Sequence, residues 1–89
     1  MPWTKGTLLW VRDGREARGT IFVLRKRLGT AVVRNRLKRR LRHATREMGV
    51  ADRGLVILAQ PPATRSPFPV LLDELRQLMA RLQPDRAAP

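Results

Sequence analysis

Cysteine and tyrosine are absent from this 89-residue chain, histidine occurs once, at His43, and only seven residues are acidic. Without cysteine there is no disulfide, no thiolate nucleophile and no cysteine-held metal. One imidazole excludes a multi-histidine metal cluster. The carboxylates Asp13, Glu16, Glu47, Asp52, Asp73, Glu74 and Asp85 are scattered. A protein nuclease working through two metal ions needs carboxylates that converge. Asp13 and Asp52 can meet only through the fold, because nothing in their spacing requires it. No catalytic residue and no metal ligand is therefore assigned, and an unaided ribonuclease is disfavoured. No apolar run approaches the roughly 18 residues of a membrane span. The opening Met1-Pro2-Trp3-Thr4-Lys5 has no apolar signal core behind it. The expected setting is the cytoplasm, with no membrane partner.

Positive charge is abundant. There are 19 Lys or Arg residues and a formal net charge of +12. Ten of the cations fall between Arg25 and Arg46, a stretch with no acid, which leaves nine basic and seven acidic residues for the rest. Charge packed into a quarter of the chain has the form of a binding surface for a polyanion. The length supports one domain, expected over residues 1–83 with a frayed tail at 84–89.

Thr7–Val11 and Thr20–Leu24 are apolar, β-compatible runs and read as strands. Asp13-Gly14 signals a turn, so the two can pair as a hairpin. Gly29 marks a turn or a close backbone approach, and Thr30 can cap a helix. Over residues 31–48, Val33, Leu37, Leu41, Ala44 and Met48 fall within a helical stripe about 80° wide. Lys38, Arg39, Arg42 and Arg46 occupy the opposite side, and Arg34, Arg36 and Arg40 the flanks. Gly49 is a natural stop. Leu55–Ala59 is a continuous apolar run, as in a fully buried strand. Ser66 followed by Pro67 can open a last helix, in which Leu71, Leu72, Leu75, Leu78, Met79 and Leu82 recur at spacings of mostly three and four. Pro84 ends it. The order β-β-α-β-α, with room for a further short strand near the hairpin, implies a small α+β two-layer sandwich, with helices on one face of the sheet and the other face open.

The helix over residues 31–48 thus has a dry side and a cationic side. Guanidinium groups present donor forks that match phosphate oxygens. A merely solvated face would mix signs, because ten like charges repel.

The string Lys26-Arg27-Leu28-Gly29-Thr30-Ala31-Val32-Val33-Arg34-Asn35-Arg36-Leu37-Lys38-Arg39 resembles the signature of the bacterial ribonuclease P protein subunit. The resemblance extends over residues 7–82. It implies a left-handed βαβ crossover, against the usual hand. It implies a non-catalytic subunit of an RNA-based endoribonuclease that matures transfer RNA at the 5′ end. The catalytic RNA and precursor transfer RNA are the implied partners, with one protein per RNA. Mg²⁺, held mainly by the RNA, is the implied ion. The RNA-contacting set implied is Lys26, Arg27, Arg34, Asn35, Arg36, Lys38, Arg39 and Arg42. Trp10 and Phe22 are implied to line a cleft for the single-stranded 5′ leader. Family members usually carry a further N-terminal segment with a Phe-rich helix. Six residues precede the first expected strand here, so that helix is expected to be missing.

Each aromatic also has a plainer reading: Trp10 and Phe22 either meet RNA or pack in the core. Asn35 either bonds RNA or is solvated. His43 reads as a surface or boundary residue. The alternative function is a general RNA-binding or ribosome-associated module with no processing role.

Overall fold

The computed structural model describes residues 3–14 and 19–82. The tail expected at 84–89, the stop at Pro84 and the carboxylates Glu16 and Asp85 lie outside these residues. The fold is a small mixed α+β arrangement in which strands and helices alternate. Strands β1 (Thr4–Lys5), β2 (Leu9–Asp13) and β3 (Ile21–Val23) precede helix α1 (Ala31–Glu47). Strand β4 (Leu55–Ala59) and helix α2 (Phe68–Leu82) follow. Short 3-10 turns at Lys26–Leu28 and Pro61–Arg65 lead into the two helices.

The sheet order is β1-β2-β4-β3. This corrects the expected hairpin between the first two apolar runs. The later of them, β3, pairs parallel with β4, and β2 pairs antiparallel with β4. The hairpin partner of β2 is β1. The physical reason is burial. All five residues of β4 are buried, so the most apolar strand takes the centre and is flanked on both sides. The strand β1 adds one element to the expected order.

Leu9 and Val11 of β2, with Leu55, Ile57 and Ala59 of β4, point to the helices and join one core. That core includes Leu37, Leu41 and Ala44 of α1 and Leu71, Leu75, Leu78 and Met79 of α2. Leu9, Val11, Leu37, Leu41 and Ile57 are wholly excluded from solvent. Both apolar stripes thus do what their period required, and burying each such side chain contributes roughly 1.5–3 kcal/mol.

The limits of α1 are set by local chemistry. The Thr30 hydroxyl accepts from the Val33 N–H at 3.3 Å, as a helix cap does. At the other end Gly49 has φ of +70°. The Val50 N–H donates to the Thr45 carbonyl at 2.9 Å and the Gly49 N–H to the Arg46 carbonyl at 3.0 Å. This pair of bonds satisfies carbonyls that the helix would otherwise leave open. α2 starts one residue later than the sequence implied. The Pro67 carbonyl accepts from the Val70 N–H at 3.1 Å and the Leu71 N–H at 3.2 Å. The Ser66 hydroxyl bonds instead to the Pro62 carbonyl. Pro69 falls in the first turn, where a missing N–H costs nothing.

Candidate nucleic-acid interface

The cationic side of α1 is uncovered. Asn35, Arg36, Lys38, Arg39 and Arg42 are exposed, and so are Lys26 and Arg27 in the preceding turn. Among the described residues, the contact at ion-pair distance is His43 Nε2 to Glu47 Oε1, at 3.9 Å. The Lys and Arg groups of the window therefore have no described carboxylate against them. Arg40 differs from its neighbours: its guanidinium donates to the Ser66 carbonyl at 2.7 Å. It ties α1 to the approach of α2.

Arg34 is half-buried, and its Nε is shielded from solvent without a hydrogen-bond partner in the protein. It lines a cleft of about 310 Å³ with Phe22, Leu24, Ala31, Asn35 and Lys38. The cleft runs between the end of β3 and the first turns of α1. It offers one aromatic ring, aliphatic walls, two cations and an amide. Gly29, with φ of +137°, sets the entry to α1 beside it, and a Cβ there would stand 3.3 Å from the Val33 side chain.

Trp10 lies elsewhere. Phe22 is in register with Ile57, on the helix side of the sheet, whereas Trp10 is in register with Leu58, on the open side. The expected single cleft lined by Trp10 and Phe22 is thus divided between two faces. Strand alternation places neighbouring residues on opposite faces, and only the cross-strand register reveals which face each takes.

The open face holds more than Trp10. Lys5 Nζ stands 4.7 Å from the Trp10 ring centre, and Arg12 Cζ stands 5.1 Å from that of Trp3. The two indole centres are 6.3 Å apart with planes at 54°. Both distances suit a cation over a π-face. Alternating cations and indoles form a surface on which unpaired bases can stack while phosphates meet charge. Trp3, Lys5 and Arg12 were not singled out from sequence. Their signal was the period-two spacing of Trp3 with Lys5 and of Trp10 with Arg12.

His43 is exposed, and its ring stacks on Phe68 at 4.7 Å. Among the described residues, no three His, Asp or Glu side chains come together as a metal site. Among the described residues, no helix is long and apolar enough to cross a membrane.

The family model described as Ribonuclease P matches residues 4–83. The ribonuclease P protein component of Ruegeria pomeroyi is 44% identical over 78 residues, which cover 80% of this chain and 62% of that protein. The component from Thermus scotoductus is 40% identical over 79 residues, covering 73% of this chain and 49% of that protein. The chain spans about half to three fifths of the length of these curated relatives. Among solved structures, the Staphylococcus aureus RNase P protein superposes with a TM-score of 0.60 at 20% identity, over 81% of this chain and 70% of that one. The RNase P protein from Thermotoga maritima, in complex with 1-(4-fluorophenyl)-2-thiourea, gives 0.68 at 22% identity, over 91% and 85%. These structural likenesses are likenesses of fold.

Proposed function

Because the chain belongs to the ribonuclease P protein family, we propose that it acts as the protein subunit of ribonuclease P, binding the catalytic RNA and assisting 5′ maturation of precursor transfer RNA. The observation that carries this reading is the cationic face of α1, exposed and free of described carboxylate partners. Lys26, Arg27, Arg36, Lys38, Arg39 and Arg42 face the phosphates of the catalytic RNA. Each phosphate neutralised releases condensed counterions, so binding is strong at low salt and falls steeply as salt rises.

The single-stranded leader of precursor transfer RNA is a second ligand. Trp10, with Trp3, Lys5 and Arg12, offers it a stacking surface on the open face. Phe22, with Arg34, Asn35 and Lys38, offers a second aromatic contact beside α1. Unpaired bases suit such surfaces because every base has a π-face and no helical groove needs reading. The protein lowers repulsion between two RNAs and holds one of them in register. Cleavage belongs to the RNA, with Mg²⁺ held there, and the isolated chain is inactive. One protein binds one RNA, in the cytoplasm. The connection from β3 through α1 to β4 is part of the proposal as a left-handed crossover: the parallel pairing of β3 with β4 calls for a crossover, and its hand, against the usual right-handed rule, rests on the family resemblance alone.

Reconstitution tests the reading. Adding the protein to a ribonuclease P RNA at low Mg²⁺ should raise the rate of leader removal from a precursor transfer RNA. No stimulation, together with equal affinity for unrelated RNAs, would instead identify a general RNA-binding module.

A further inference from the structure

The described side-chain bonds to the β1–β2 turn come from α2, across the sheet from the tryptophans. Glu74 Oε2 accepts from the Leu8 N–H at 2.6 Å and from the Leu9 N–H at 2.7 Å. Two helical turns on, Arg81 donates to the Lys5 carbonyl at 2.7 Å. The turn itself closes through the Gly6 N–H and the Leu9 carbonyl at 2.8 Å. Gly6 is pressed against the carboxylate so closely that a Cβ there would stand 2.6 Å from Glu74 Oε2. An ionised carboxylate taking two backbone N–H groups is a strong, directional restraint.

That restraint lies on the one turn that sets the offset of β1 against β2. The offset places Lys5 opposite Trp10. A slip of one residue would move Lys5 to the other face of the sheet, leaving Trp10 without its cation. Trp3, two residues before Lys5 on the same face, would leave Arg12 in the same way.

We propose that Glu74 is a positioning residue for single-stranded RNA: from the helix side of the sheet it fixes the turn that brings Lys5 to Trp10 and Trp3 to Arg12 on the open face. This rests on the reading of the open face as the leader contact. The direction of the effect separates positioning from charge. Glu74 is acidic, so electrostatics alone predict that its removal strengthens RNA binding. Positioning predicts a loss.

The test uses the full chain and two probes, a labelled single-stranded RNA of about ten nucleotides and an RNA duplex hairpin. The chain has two tryptophans, so the exciton couplet in its circular dichroism reports the Trp3–Trp10 geometry directly. Glu74→Ala should erase the couplet and weaken single-strand binding roughly fivefold or more, while duplex affinity holds or rises. Glu74→Gln keeps an acceptor oxygen and should restore both. Glu74→Asp keeps the charge but retracts the carboxylate, and should behave like the alanine variant. Should Glu74→Ala fail to fold, the Asp and Gln variants carry the comparison. Asp73→Ala is the charge-matched control. Asp73 is exposed and bonds to Gln77 at 3.0 Å, so its loss should leave couplet and single-strand affinity intact. Folded Glu74→Ala and Glu74→Asp proteins with the couplet and single-strand affinity of Asp73→Ala would overturn the proposal. If unaltered protein ignores the single strand, the leader reading itself fails and the positioning role falls with it, even where the couplet still depends on Glu74.

Discussion

Arg40 reaches the Ser66 carbonyl at 2.7 Å, so a guanidinium within the most basic stretch of the chain is spent on joining two helices. Its position on the flank of α1, between the apolar stripe and the exposed cations, makes this reach possible. Arg40→Ala should therefore destabilise the fold by about 1.5 kcal/mol, the scale of a hydrogen bond from a charged donor. Thermal melting should show a fall of roughly 6–12 °C for a domain of this size. The salt dependence of RNA binding should barely change, and a large drop in that slope would place Arg40 on the RNA instead.

Arg39 and Arg42 should give the opposite pattern. Both are exposed, and neither lies against a described carboxylate. Replacing both by Gln keeps good helix formers and removes no core atom. Melting should be nearly unchanged. The slope of log K against log salt should fall by about two units if each meets a phosphate. An unfolded double variant would mean that the faces of α1 are misassigned.

Leu41 tests the dry side of the same helix. It is wholly buried in the core. Leu41→Ala should cost roughly 2–5 kcal/mol, and RNA binding should fail only as the fold fails. Selective loss of RNA binding in a stable Leu41→Ala protein would contradict the packing described.

Trp10→Ala should weaken a leader-bearing precursor by about 1–3 kcal/mol, the scale of one base stacked on an aromatic ring. Mature transfer RNA should bind as before. Equal loss for both RNAs, or a loss matched by melting, would remove the stacking role.

Thr30→Ala should cost about 1 kcal/mol through loss of the cap to the Val33 N–H. Chemical denaturation would detect it as a lower midpoint with an unchanged slope. No change would show that water caps α1 equally well.

Helix α1 was legible because its signals are local. The stripe from Val33 to Met48, the Thr30 cap and the Gly49 stop are all written within a few turns. β4 was legible because a short run of five apolar residues suits a strand with neighbours on both sides. The partners of β4 were not legible. Leu9 meets Ala59 and Phe22 meets Ile57 through register that forms only when distant segments dock. For the same reason Trp10 and Phe22 were grouped, although one residue of alternation separates their faces. β1 was foreseen only as an optional short strand near the hairpin, because two residues carry no period. Glu74 was read as one of the scattered carboxylates, since nothing near it in sequence hints at the Leu8 and Leu9 amides.

A ribosome making this chain releases β1, β2 and β3 well before the strand that joins them. At about 5–20 residues per second, seconds pass between the emergence of β3 and that of β4. During that interval β2 and β3 have no shared neighbour, and the apolar stripe of α1 has no central strand to cover. Helix formation is far faster than that delay. The nascent chain thus displays its cationic helix before its sheet can be completed. Synthesis halted ahead of Leu55 should yield a basic, partly helical fragment without a sheet, prone to hold any nearby polyanion.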